Sequence, residues 1–300
     1  MDLKNYILIK EGTGFKMKKL LTFLFAAFLL IGLAACNGER TYAADGEYTA
    51  FDIDYHHGAP MITEVTVTIE DDEITGYYID ALQSSLGEEG VTWNEKTKKE
   101  LGDDYGMVEN GGAIAEWYVQ AERIEAFWLE NGADAVTTDE DNYIDNVTDV
   151  TMKDGGYSDL AIEAVQQAKD GITKAYVTTL HYNGTANVTW ATLEVDAEGD
   201  IVDLELDVLQ SSITDGTFAW NEKTKQELGD DYGMATKNGN ANGGLYEWYE
   251  QADMITDYIM ENGWEDSFTV ADSDLDTETD VTISTGDYEK VLKAVFDKIA

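Results

Sequence analysis

The sequence predicts an α+β protein built as two tandem repeats, each an antiparallel sheet with packed helices. Two observations carry this. The stretch "WNEKTKKELGDDYGM" from Trp93 to Met107 returns as "WNEKTKQELGDDYGM" from Trp220 to Met234, with 14 of 15 residues kept. A chain of 300 residues with an internal period near 130 reads as two units rather than one. In each copy, strand-like alternation comes first and helix-like spacing after it, which builds an antiparallel sheet rather than a parallel one.

Before the repeats, Met17 to Lys19 give a positive start, Leu20 to Ala35 an apolar run, and "LAAC" ends it at Cys36. The run is short for a membrane span and closes in small residues, so residues 1–35 read as an upstream extension and a secretory signal. It resembles the lipobox of bacterial lipoproteins, which implies lipidation at Cys36 and a protein held at the cell membrane on its extracellular side. Residues 1–16 place an acid and polar residues ahead of the basic start, and Lys10-Glu11-Gly12 is what a translated ribosome-binding site spells. Met17 is therefore expected to be the first residue of the signal. Residues 36–44 follow as a linker.

The first repeat is assigned to residues 45–169 and the second to 170–300. "TEVTVTIEDDEI" alternates Val65, Val67 and Ile69, turns on acids and resumes at Ile74. Its counterpart alternates through Val188, Trp190, Leu193 and Val195, turns at Gly199 and resumes at Ile201. Both are hairpins. In the duplicated stretch, Asn94 and Asn221 are expected helix N-caps and Gly102 and Gly229 expected stops. Trp117, Ala121, Ile124 and Trp128, and then Trp248, Ala252, Ile255 and Ile259, are spaced as one helical face, with Asn131-Gly132 and Asn262-Gly263 ending each helix. Each copy closes with a helix, from about Tyr157 and about Tyr288.

Charge narrows the function classes. With 19 basic and 61 acidic residues the chain carries −42. Nucleic acid is excluded as a partner and an anionic membrane surface would repel the body of the protein. Cys36 is the only cysteine, so the folded part has no disulfide, thiol redox centre or iron–sulfur ligand set, and a redox role would need an organic cofactor.

Exposed-looking Lys96, Asp103 and Asp104 are kept in both copies, which favours a site over packing alone. Tyr105-Gly106-Met107 and Tyr232-Gly233-Met234 place an aromatic ring and a thioether beside a glycine, suited to a flat ligand or to a tight turn. The hairpin, the duplicated stretch, "EWYVQA" and "EWYEQA" from Glu116 and Glu247, and a terminal threonine motif resemble the FMN-binding domains of bacterial lipoproteins. Those domains include the flavin-bearing C subunit of sodium-pumping NADH:quinone reductase and the electron-transfer flavoproteins of Gram-positive bacteria. The resemblance implies FMN linked by a flavin transferase through a phosphoester to the last threonine of a D-x-x-[S/T]-G-A-T pattern. "DNVTDVT" from Asp145 and "DTETDVT" from Asp276 match at the aspartate, at Thr148 and Thr279, and at Thr151 and Thr282. Both copies depart from it, with aspartate in place of glycine and valine in place of alanine.

The resemblance thus implies a lipid-anchored flavoprotein relaying electrons from a membrane NADH:quinone-type dehydrogenase or quinone. Thr151 and Thr282 would be its attachment points, and Tyr105, Met107, Tyr232 and Met234 its ring contacts. The alternative is a non-redox ligand-binding or surface lipoprotein that has lost the flavin. A calcium loop in "DSDLDTETD" lacks the glycine and the glutamate such loops need. His56, His57 and His181 are too scattered for a metal site and suit a turn. No catalytic motif is present, so a redox carrier is expected ahead of an enzyme.

Overall fold

The computed structural model describes residues 40–300 apart from 89, 240, 242, 265–269, 272–273, 276–279, 285 and 300. Cys36 and Thr279 lie outside the described residues. Thr41–Ala300 forms one compact unit. Among the described residues no helix is long and apolar enough to cross a membrane.

Each repeat is a four-stranded antiparallel meander with helices on one face, as the sequence predicts. In the first, β1 (Gly46–His56), β2 (Ala59–Glu70), β3 (Glu73–Gly87) and β4 (Gly90–Trp93) pair in that order. The helices α1 (Lys98–Leu101), α2 (Met107–Gly111), α3 (Trp117–Asn131) and α4 (Tyr157–Asp170) follow. The second repeats the order with β5 (Ile172–Leu180), β6 (Ala186–Val195), β7 (Ile201–Thr214) and β8 (Thr217–Trp220). Its helices are α5 (Lys225–Leu228), α6 (Trp248–Asn262) and α7 (Gly286–Phe296).

The predicted hairpins are β2–β3 and β6–β7, each bent by a bulge. The flanking strands β1, β4, β5 and β8 were not foreseen. One reason is visible in β1, where Tyr48, Thr49 and Ala50 are buried in succession because neighbours cover both faces. Such a strand loses the alternation that identifies a half-buried one.

The predicted N-caps are corrected. Helices α1 and α5 are capped three residues after Asn94 and Asn221, at Thr97 and Thr224, whose hydroxyls accept from the N–H of Glu100 and Glu227 while those carboxylates accept from the threonine N–H. This reciprocal box satisfies two terminal donors where an asparagine cap satisfies one. Asn94 instead donates its N–H to the Gln83 carbonyl and extends the β3–β4 pairing. The long helices end at Gly132 and Gly263 as expected, both at positive φ.

Packing explains the helical spacing. Trp117, Ala121, Ile124 and Trp128 are buried against Val65, Val67, Ile69 and Ile79, and Trp248, Ala252, Ile255 and Ile259 against Leu193, Leu204 and Leu206. The sheet faces turned away from the helices meet in a seam. There Phe51 lies 5.1 Å from Tyr176 and 6.1 Å from Trp190, ring centre to ring centre. Thr173 donates to the Glu47 carbonyl at 2.7 Å, and Lys298 Nζ donates to Thr49 Oγ1 at 2.8 Å. A third apolar cluster joins Val91 of β4 to Ala186 and Phe218 of the other repeat, with Trp93 and Trp220 packed against it. A methyl group at Gly90 would collide with the Gly184 backbone, so the two repeats meet there at glycine-only distance. Residues 41–44, read from sequence as the end of a linker, are docked: Ala43 donates to the Ala168 carbonyl, and the N–H groups of Thr41 and Tyr42 donate to Asp72.

Candidate functional site

The motifs read separately along the sequence converge in space. In the second repeat a glutamate, a tryptophan and a glutamine of "EWYEQA" open α6 and face three ways. Glu247, fully buried, accepts from the N–H of Met234 at 2.8 Å and of Ala235 at 2.9 Å, so it fixes the end of the duplicated stretch. Trp248 is buried and donates from Nε1 to the Tyr288 hydroxyl at 2.9 Å. Gln251, also fully buried, accepts at Oε1 from the Thr282 N–H at 2.6 Å, the Thr282 hydroxyl at 3.3 Å and the Ile283 N–H at 3.2 Å. Its Nε2 donates to the Tyr246 carbonyl and reaches Met234 Sδ at 3.9 Å.

The first repeat uses the same connections. Glu116 accepts from the N–H of Met107 and Val108 at 2.7 and 3.0 Å, and Gln120 accepts from the Thr151 N–H and hydroxyl at 2.7 and 3.3 Å. One side chain therefore ties each terminal threonine to the methionine of the duplicated stretch. Thr151 and Thr282 keep exposed surface, so their hydroxyls are reachable. Asp149, the residue standing where the resembled motif has glycine, takes φ 59°, the left-handed conformation glycine would supply. Arg123 donates to its carbonyl at 2.6 Å and holds it there. Thr148 is exposed beside it.

A cleft of about 530 Å³ opens in the second repeat between the end of the sheet and α7. Thr282, Tyr232 and Met234 line it, together with His181, Lys225 and Trp248. Thr179, Asn187 and Thr189 of the strands, Ser284 of the loop before α7 and Asp287 in the first turn of α7 complete its polar wall. Its size falls in the range of pockets that enclose a cofactor-sized ligand. In the first repeat the corresponding strand residues Asp54, Met61 and Thr63 line a space of about 260 Å³ with Asp52, Asp159 and Glu163. Tyr105, Met107 and Thr151 do not line that space, and Tyr105 and Met107 pack against the first core instead.

Two lysines were missed. Lys98 and Lys225 are the first residues of α1 and α5, and only 5% and 8% of their surface is exposed. Lys225 Nζ stands 5.1 Å from the centre of the Tyr232 ring and 5.0 Å from that of Trp248, and Lys98 takes the same place over Tyr105 and Trp117 at 5.6 and 5.2 Å. Among the described residues no carboxylate lies within salt-bridge distance of either ammonium. Burial pushes both down to about 8, against the pull of Asp80 or Asp207. Those aspartates have another duty: Asp80 accepts from the Lys99 N–H at 3.0 Å and Asp207 from the Gln226 N–H at 3.1 Å, anchoring the short helix that carries each lysine. Lysine identity in both copies was the available signal, hidden among exposed neighbours such as Lys96.

His56 sits beside Lys98, and burial, then that charge and His57, lower its basicity. His181 closes the β5–β6 turn, accepting from Gly184 and donating to Thr185 through its backbone, and also lines the cleft. Among the described residues no three His, Cys, Asp or Glu side chains gather as metal ligands would. The second-repeat site thus offers a reachable hydroxyl, two aromatic faces, a thioether and a buried cation.

No family model matches the chain, and no curated protein matches it. A structural-genomics target from Clostridium thermocellum, solved by NMR in solution, is similar at 29% identity over 42% of this chain and 92% of its own, with a TM-score of 0.30.

Proposed function

We propose that the protein is a lipid-anchored extracytoplasmic flavoprotein that relays electrons through FMN, with Thr282 as the attachment hydroxyl of the second repeat and Thr151 as its counterpart in the first. The observation that carries this reading is the second-repeat cleft. Thr282, Tyr232 and Met234 come from two stretches about 50 residues apart in sequence, and they line one cavity of about 530 Å³. Their chemistry suits the group: a hydroxyl for a phosphoester, ring and thioether surfaces for a flat heterocycle, and a cation for its negative charge. The duplicated residues support the reading through their division of labour. Glu247 fixes the loop bearing Tyr232 and Met234, and Gln251 fixes the backbone of Thr282, so both walls are held by one helix.

When bound, FMN supplies one- and two-electron chemistry, and the chain supplies attachment, shielding and tuning. Gln251 Oε1 orients the Thr282 hydroxyl and leaves its surface open to a transferase. Trp248 and Tyr288 close the floor against water. The charge of −42 makes bound flavin harder to reduce and favours neutral or cationic redox partners.

The test is the intact mass of the mature chain, co-produced with a flavin transferase from its own source. Addition of FMN that disappears on Thr282→Ala is the expected outcome, with a second addition lost on Thr151→Ala if the first repeat is also modified. A colourless protein of unmodified mass would overturn the flavin reading.

A further inference from the structure

The two copies of the site differ where their frame does not. Register pairs Asp52 and Asp54 of β1 with Val177 and Thr179 of β5, since each faces the corresponding residue of the next strand. Along the closing helices, Tyr157 matches Tyr288, which sets Asp159 against Lys290 and Glu163 against Ala294. Four acids at this corner of the first repeat have thus become two neutral side chains, a lysine and an alanine in the second. Both copies retain the buried lysine over its tyrosine and tryptophan.

We infer that the second repeat holds a ligand bearing a phosphoryl group without any covalent link, which the first repeat does not, with Lys225 as its cationic contact. Lys225 as a residue is more than nine-tenths buried, lines the cleft and has no carboxylate within ion-pair distance of its ammonium among the described residues. A buried cation in that situation is stabilised by an anion that reaches it. The surrounding donors suit several oxygens at once: the hydroxyls of Thr189, Thr282 and Ser284 and the amide of Asn187 share the cavity. The start of α7 borders it as well, and its first-turn N–H groups favour negative charge. Asp287 is the one acid on this wall, and it is already engaged, accepting from the Thr179 hydroxyl and pairing with Lys290 at 3.2 Å. Burial of Lys225 lowers its basicity, which an arriving anion would reverse. In the first repeat Asp54 stands where Thr179 lines the second-repeat cleft, and Asp52, Asp159 and Glu163 gather around it, so the field at that corner would oppose the same ligand.

This deepens the flavin reading by assigning the charged end of the ligand, but the phosphoryl site itself does not rest on the ring. The experiment uses the full chain produced without a flavin transferase and titrates it with FMN, riboflavin and inorganic phosphate, by calorimetry. One FMN per chain is expected, with riboflavin weaker by about tenfold or more, the worth of one charge-assisted contact. Lys225→Met should erase that preference, and Lys290→Asp, which restores the first repeat's residue, should weaken FMN by several fold while leaving Lys225 in place. Lys98→Met should change neither affinity. Phosphate binding lost in Lys225→Met without any FMN binding would sustain the site and sink the flavin reading. Riboflavin binding as tightly as FMN would do the reverse. Two equal FMN sites, or a folded Lys225→Met chain that keeps the preference, would overturn the inference.

Discussion

Lys98 and Lys225 are both largely buried, and that burial brings each from an ordinary 10.5 to about 8. A base with a depressed folded value binds fewer protons in the folded chain than in the unfolded one between those limits. Stability therefore rises with pH from about 8 toward 10.5 and is flat below 8. Each lysine is expected to cost about 3 kcal/mol at neutral pH, an upper figure for so buried a group. The tyrosines work the other way near pH 10, because burial raises Tyr105, Tyr232 and, to about 12, Tyr157 and Tyr288, so their ionisation destabilises the fold. The lysine effect is thus read between pH 8 and about 9.5. Lys225→Met keeps the apolar stem and removes the charge. It should raise the urea-unfolding free energy at pH 7 by about 1–3 kcal/mol and flatten the rise above pH 8. A less stable variant would mean that the ring contacts with Tyr232 and Trp248 outweigh desolvation. A residue kept in both copies at such a cost to folding is the pattern expected of function rather than packing.

At the scale of elements, α6 is held to the threonine loop by a single side chain. Gln251 Oε1 takes three hydrogen bonds from Thr282 and Ile283, two of them from backbone N–H groups. Gln251→Leu fits the apolar surroundings but leaves the buried Ile283 N–H and the half-buried Thr282 N–H unmet, so a loss of about 1–3 kcal/mol is expected in urea unfolding. An unchanged midpoint would show that the loop finds other partners. Much of this arrangement was legible in sequence. The hairpins β2–β3 and β6–β7 announced themselves because their strands alternate between a helix-covered face and a wetter one, and α3 and α6 did so through an apolar face ended by Asn-Gly. The cap at Thr97 was also written there, as threonine followed three residues later by glutamate, and Asn94 obscured it. Strands β1 and β5 were not legible, since the seam covers the faces that would otherwise have been polar. Nor was the role of Gln120 and Gln251, although "EWYVQA" and "EWYEQA" stood out: a sequence shows that a glutamine is repeated, not which backbone it reaches 31 residues on. The one change within the duplicated stretch has a local account. Lys99 pairs with Glu125 at 2.6 Å, whereas Gln226, its counterpart, bonds the Leu206 carbonyl and Asp253.

At the scale of the molecule, the seam makes two repeats one body, and it contains a carboxyl group in an unfavourable place. Glu64 lies on the non-helical face of β2, opposite Phe51 of β1 and close to Tyr176 across the seam. Burial raises it to about 7, opposed by Lys298 and reinforced by Asp80 and Glu47. An acid with a raised folded value binds more protons folded than unfolded between 4.5 and 7, so it costs the fold nothing below about pH 4.5, lowers stability increasingly through the window up to 7 and keeps that full cost above it. Glu64 retains some accessible surface, and water discounts the full shift to about 2 kcal/mol. Glu64→Gln is expected to raise stability at pH 8 by about that amount and to leave it unchanged at pH 4. The location of the group sharpens the test. Because Glu64 faces the second repeat while Lys298 and Ile299 of the second repeat reach back over β1 and the first core, strain at this point bears on both halves. Tryptophans of both repeats should therefore report one unfolding transition, displaced as a whole by the substitution. Two transitions, with only the first repeat shifted by Glu64→Gln, would show that the seam joins the repeats without coupling their stability, and each copy of the site would then stand on its own fold.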